Sequence, residues 1–372
     1  MKWVFWGSAG LIAFTYVGYP AWLWVRTRLS RKPVLAAPYS PTISIVMVVR
    51  NEEACLEEKL TNLLGLNYPA DRREIIVVSD GSTDSTNRIL EAYSDRGIQA
   101  VCLNESQGKA AGLNQATAIS HGEVVVFTDA RQMIERDALG HLVENFADPG
   151  IGCVSGELML GDPSLGETLH GMGLYWRIEK KVREMESTSG SVVGATGAIY
   201  AVRRGAFQAV PKDLILDDVL IPMQVVRQGH RALFEPRSRA WDSPNLGGQR
   251  EFKRKVRTLT GNYQLLQVAP WLLGETNPIR FEFVSHKLLR LIIPFALLAL
   301  LISSAMLTGA LYRAVLVLQL FCYGLSALAL AGVKAGPITR LADAALTFVV
   351  LNMAAAVAFA NFVSGRKAIW VR

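Results

Sequence analysis

Ile75-Ile76-Val77-Val78-Ser79 running into Asp80-Gly81-Ser82-Thr83-Asp84, and Val124-Val125-Val126-Phe127-Thr128 running into Asp129, decide how this chain folds. Each is a short, fully apolar run that stops at an acid, the pattern of a strand buried on both faces. Ile43-Ser44-Ile45-Val46-Met47-Val48-Val49 does the same before Arg50-Asn51-Glu52-Glu53. In an open α/β sheet, ligands bind outside the carboxyl ends of parallel strands. Three strands ending in acids therefore predict one acidic crevice, suited to ribose hydroxyls, a divalent cation, or both.

Working outward, strand and helix patterns alternate from residue 40 to 245. Helices are expected at 52–64, 83–93 and 110–118, and a short strand at 101–103. Asn67-Tyr68-Pro69 breaks the first helix, and Ser82 or Thr83 can cap the second. Such alternation predicts an α/β domain with a mostly parallel, doubly wound sheet.

The chain ends are different. Trp3 to Val25 carries no charge and is roughly 34 Å long as a helix, enough to cross a bilayer. The alternative is a signal peptide, but Tyr19-Pro20-Ala21-Trp22 is not a small-residue cleavage site. Arg26, Arg28, Arg31 and Lys32 follow without an acid, which puts the next residues on the cytoplasmic side. Three further spans are expected near 288–308, 312–333 and 341–363. Four spans would place the basic tail of Arg366, Lys367 and Arg372 on the opposite side from the central domain, against the positive-inside rule. Either the tail is external, or one apolar segment lies in the interface or re-enters.

The resulting division is 1–32, an N-terminal membrane helix with its basic flank; 40–245, a cytosolic α/β domain; 246–285, an amphipathic interfacial segment; and 286–372, C-terminal membrane helices. Cys55, Cys102, Cys153 and Cys322 have no metal-ligand spacing and read as reduced thiols. The net charge of +7 fits basic segments beside anionic lipid. Basic residues do not interleave with aromatics as in a nucleic-acid module, so no nucleic-acid partner is expected.

Val48-Val49-Arg50-Asn51-Glu52-Glu53, Val78-Ser79-Asp80-Gly81-Ser82-Thr83-Asp84, Gly108-Lys109, Phe127-Thr128-Asp129-Ala130 and Leu216-Asp217-Asp218 occur in that order. Together they resemble a membrane-bound family-2 glycosyltransferase of the GT-A fold, of the cellulose synthase, hyaluronan synthase and chitooligosaccharide synthase group. The resemblance covers roughly residues 40–260. It implies an inverting transfer of a sugar from a nucleotide donor, UDP-linked, to a glycan or lipid-linked acceptor at the cell membrane. The protein would be multi-pass, with a cytoplasmic catalytic domain.

Residue by residue, the resemblance implies that Glu52 and Asp80 hold the nucleoside and that Lys109 meets the diphosphate. Asp84 reads as structural. Asp129 matches the first acid of the family's Asp-x-Asp motif, which holds Mg²⁺ or Mn²⁺, but Arg131 stands where the second acid is usual. That arginine would repel a cation and attract a phosphate. Gly194, Thr196 and Gly197 resemble the segment lining the donor-sugar and acceptor site. Asp217-Asp218 matches the family's Thr-Glu-Asp motif, with Asp218 as general base. Arg254-Lys255-Val256-Arg257-Thr258 lies where polymerising relatives carry Gln-x-x-Arg-Trp. Only Arg257 matches, as a diphosphate ligand. The missing tryptophan favours a non-processive transferase adding one sugar to a lipid carrier. A pseudo-enzyme scaffold, favoured by Arg131, is the non-enzymatic alternative. Sugar identity and oligomeric state are not legible.

Overall fold

The computed structural model describes all residues except 163–166, 169–173, 243–247, 334–335 and 366–372. The expected basic tail of Arg366, Lys367 and Arg372 falls outside the described residues.

Four parallel strands form one half of the sheet: β1 (Ile43–Val49), β2 (Arg73–Asp80), β3 (Ile98–Leu103) and β4 (Val124–Phe127). The helices between them are α3 (Leu56–Leu64), α4 (Thr86–Ala92) and α5 (Lys109–Ile119). The second half holds β5 (Met133–Ile134), β6 (Ile151–Asp162), the short β7 (Glu167–Thr168), β8 (Tyr200–Arg203) and β9 (Arg231–Asp242), with α6 (Ala138–Val143), α7 (Leu174–Ser189) and α8 (Asp217–Arg227). Strand order is β3-β2-β1-β4-β8-β6-β9-β5, and β7 pairs with β6. The sheet is mixed, because β8 runs antiparallel to both β4 and β6.

Every residue of β1 is buried. Val46 and Val48 join Ile76, Val78 and Phe127 on one face. Ile45, Met47 and Val49 join Ile75, Val77 and Val126 on the other. The period of two thus feeds two cores from one strand, and each such side chain contributes about 1.5–3 kcal/mol.

The first expected helix starts later than its apolar pattern. Asn51 takes φ 54°, and the helix begins only at Leu56. Asn51 Oδ1 accepts from the Thr83 N–H at 2.7 Å, and the Glu52 N–H donates to Thr86 Oγ1 at 3.0 Å. Asp84 accepts from the N–H groups of Thr86 and Glu53, so it staples two strand-end loops, as its structural reading requires.

At the N-terminus, α1 (Lys2–Ala13) and α2 (Tyr19–Leu29) are joined by a π-turn, Phe14–Gly18. After β9 come α9 (Gly248–Val268), α10 (Arg280–Phe283), a π-turn at Val284–Leu288, α11 (Leu289–Met306), α12 (Ala310–Leu330) and α13 (Pro337–Val363). Three helical stretches, Arg280–Met306, Ala310–Leu330 and Ile338–Val363, are long and apolar enough to cross a membrane. The first begins before the expected 288, and several of its early charges are partnered. Glu282 pairs with Arg26, and His286 and Arg290 pair with Glu179. Val256 of α9 packs on Ala354 and Ala358 of α13, and Tyr263 stacks on Phe362.

Candidate active site

The carboxyl ends of β1 and β4, the 193–198 segment, the start of α8 and one face of α9 enclose a crevice of about 810 Å³. Arg50, Asn51, Glu52, Lys109, Asp129 and Arg131 line one part of it, and Gly194, Thr196, Gly197, Asp217, Asp218 and Arg257 another. Ten of the eleven expected site residues therefore line one cavity.

Asp80 is the eleventh, and it lies elsewhere. Its side chain is fully buried. Its carboxylate accepts from Ser106 Oγ at 2.7 Å and from the N–H groups of Gln107 and Gly108 at 2.6 and 3.0 Å. Gly81, at φ 62°, lets the backbone pass so close that a β-carbon there would stand 2.5 Å from the Ser106 nitrogen. Asp80 thus holds the loop that delivers Lys109 into the crevice.

Lys109 opens α5 and bridges two acids. Its Nζ lies 2.8 Å from Asp129 Oδ1 and 3.3 Å from Asp217 Oδ2. Burial alone would lower its pKa, but Asp129 and Asp217 outweigh that and raise it. The ammonium is therefore engaged with carboxylates rather than standing free for a diphosphate.

Asp217 and Asp218 are the first residues of α8, where the helix dipole favours anions. Asp217 is buried. Burial and the neighbouring Asp217 charge raise the pKa of Asp218 from 3.8 to about 6, against the opposing pull of Lys109 and Lys287. The 194–197 segment runs along this helix start. The Ala195 N–H donates to the Asp218 carbonyl at 2.7 Å, and the Thr196 N–H donates to Ser155 Oγ at 3.0 Å. A β-carbon on Gly197 would stand 3.1 Å from Asp129 Oδ2 and 3.8 Å from Asp218 Oδ2. The two carboxylates flank one glycine.

Among the described residues, no cluster of three or more His, Cys, Asp or Glu could by itself hold a metal. Asp129 Oδ1 is engaged by Lys109, its Oδ2 faces Gly197, and Arg131 is exposed. This donor set fits a hard cation that brings most of its own oxygens, as Mg²⁺ does when bound by one or two carboxylates plus phosphates.

Cations supply the complement. Arg257 Nε and Arg50 Nε are buried without hydrogen-bond partners, and both residues line the crevice. Burial lowers the Arg257 pKa, against the pull of Asp217, Asp129 and Asp218. Burial also raises the Glu52 pKa, partly offset by the Cys55 thiol and the Arg131 charge. Arg254, by contrast, is tied to Asp242 and Glu251.

The sequence reading missed Arg50 and Lys59. Arg50 follows a strand directly, a signal that was available. Lys59 is wholly buried, and its Nζ donates to Thr128 Oγ1 at 2.9 Å and to the Gln132 carbonyl at 2.5 Å. It clamps both ends of the segment carrying Asp129, and burial lowers its pKa to about 7. Nothing in the local sequence separates it from a surface lysine.

The mixed sheet, with strand-end acids and arginines around one crevice, has a GT-A-like fold. Residues 44–210 match the family model described as glycosyl transferase family 2. Poly-beta-1,6-N-acetyl-D-glucosamine synthase of Staphylococcus aureus is 28% identical over 254 residues, which is 65% of this chain and 60% of the relative. The Staphylococcus epidermidis synthase is 27% identical over 248 residues, 64% of this chain and 58% of the relative. The chain thus matches about 60% of the length of these curated relatives. Among solved structures, the mannosyltransferase PcManGT from Pyrobaculum calidifontis, in complex with GDP-Man and Mn²⁺, superposes with TM-score 0.72 at 24% identity, covering 96% of this chain and 98% of that one. This likeness establishes the fold along nearly the whole chain.

Proposed function

We propose that the protein is an inverting glycosyltransferase that moves a sugar from a nucleotide donor, UDP-linked, to a glycan or lipid-linked acceptor at the membrane. The observation that carries this reading is the convergence of Asp129 and Asp218 on Gly197, inside a crevice that also holds unpartnered guanidinium groups.

In this reading the acceptor hydroxyl oxygen attacks the anomeric carbon as its proton passes to Asp218. The bond from that carbon to the donor diphosphate breaks, and its electron pair leaves with the diphosphate. A single in-line displacement inverts the anomeric centre. A base with pKa about 6 is deprotonated at neutral pH and still able to take a proton. Arg257 and Arg50 stabilise the departing charge by preorganised electrostatics. Lys109 holds Asp129 and Asp217 in place, and Arg131 and Glu52 stand at the donor end. Asp129 would hold Mg²⁺ or Mn²⁺, which neutralises the leaving diphosphate when bound.

The similarity to poly-beta-1,6-N-acetyl-D-glucosamine synthases supports a role in polysaccharide synthesis. Thr258 lines the crevice where a polymerising relative would present an indole, which favours transfer of single sugars. The three apolar helices, and the basic residues after α2, fit a multi-pass protein of the cell membrane with residues 40–245 on the cytoplasmic side and 246–285 along the interface.

The test uses the full chain in membranes, with UDP-N-acetylglucosamine, other UDP-sugars and GDP-mannose as donors. Release of nucleotide diphosphate and product size are read together. Asp218→Asn should abolish transfer and retain nucleotide binding. Near-normal turnover by that variant removes Asp218 from the mechanism.

A further inference from the structure

The crevice does not end at the acids. It continues past His286 and Lys287 to Thr347 and Leu351 of α13, one of the helices able to cross a membrane. Most charges at this end are matched. His286 sits between Glu179 Oε1 at 2.9 Å and Glu186 Oε1 at 2.7 Å. Arg290 donates to Glu179 Oε2 at 2.7 Å. Arg183 donates to Ser155 Oγ at 2.7 Å and lies over the Phe234 ring.

Lys287 is the exception. It lines the crevice, and among the described residues its ammonium makes no hydrogen bond or ion pair. It lies within electrostatic reach of Asp218 and Glu179. It stands on the π-turn Val284–Leu288, a device that recurs at functional sites. An ammonium without a bonded partner, in a crevice also lined by a helix able to cross a membrane, calls for an anion. The apolar lining contributed by Leu351 and Leu259 calls for an apolar tail.

We propose that Lys287 binds the phosphate of a membrane-anchored lipid phosphate, whose chain leaves past Thr347 and Leu351. The ligand is the acceptor, or carries the acceptor sugar, and only in that name does the proposal rest on the transferase reading. A neutral glycan would leave the ammonium without a directly bonded anion, and a soluble phosphate would have no use for the apolar lining. Arg183, whose hydrogen-bond partners are neutral, adds a second positive charge nearby.

The test is a binding titration of the purified full chain in detergent, with farnesyl phosphate, farnesol and inorganic phosphate. Farnesyl phosphate should bind, and Lys287→Ala should weaken it at least about tenfold, the loss of one charge-assisted hydrogen bond. Lys287→Arg should recover most of the affinity. Leu351→Asp, which leaves Lys287 intact, should also weaken farnesyl phosphate. Farnesol should bind far more weakly and ignore the Lys287 change. Equal binding of farnesyl phosphate by wild type and Lys287→Ala would overturn the proposal, as would farnesol binding as tightly as farnesyl phosphate. Inorganic phosphate matching farnesyl phosphate would overturn the lipid assignment and leave a soluble phosphate site. No sugar transfer enters this measurement, so a failure of the transferase reading leaves its result readable.

Discussion

Asp129, at the end of β4, and Asp218, in the first turn of α8, aim carboxylate oxygens at the same glycine, 3.1 and 3.8 Å from where a Gly197 β-carbon would stand. Two acids remote in sequence thereby share one small space, and glycine keeps that space open.

Gly197→Ala should consequently lower kcat by about ten- to a hundredfold, since small misplacements of reacting groups cost that much. The methyl group must push Asp129 aside, while the fold has little to lose. Kinetics together with thermal unfolding check this: activity should fall with the melting temperature nearly unchanged.

The raised Asp218 pKa sets a pH profile. The base works only when deprotonated, so kcat/KM should be flat above about pH 6 and fall about tenfold per unit below it. A profile flat down to pH 4.5 would remove Asp218 as the base.

Lys109→Met should act on both stability and pH dependence. Asp129 and Asp217 lose their shared cation, and the cluster of acids repels itself. The expected cost is about 1–3 kcal/mol, limited because the Asp129 carboxylate is 40% exposed. The pH midpoint should move upward, because the opposing pull on Asp218 is gone. Chemical denaturation and a rate profile measure the two effects.

Asp80→Ala separates two roles for a residue that the motif assigns to the nucleoside. The structure has its oxygens taken by Ser106, Gln107 and Gly108. Removing them orphans buried donors, so the variant should lose about 1–3 kcal/mol of stability along with donor affinity. Donor affinity lost at unchanged stability would show direct nucleoside contact.

Chelation addresses the cation. Treatment with EDTA should suppress transfer, and Mg²⁺ or Mn²⁺ should restore it. Activity that survives exhaustive chelation would mean that the guanidinium groups suffice at the diphosphate.

The parallel half of the sheet was legible because buried strands write continuous apolar runs and stop at polar ends. Asp129 was legible because it follows such a run, whereas Asp218 was legible only through its match to the Thr-Glu-Asp motif. The antiparallel insertion was not: β8 is four residues, Tyr200–Arg203, too short for a periodic signal, and its neighbours lie far along the chain. The direction in which Asp80 points was equally hidden. Its burial depends on the loop at 104–108 folding back over it, a tertiary event. Lys59 and Lys287 carry no motif, because what distinguishes them is what surrounds them.

Tyr19 OH donates to Glu186 at 2.6 Å, and Arg26 pairs with Glu282. The leading helical segment is thereby tied to α7 and α10 by polar contacts. Trimming it would take from the buried Glu186 carboxylate one of its two partners, His286 being the other, so a shortened version should be less stable.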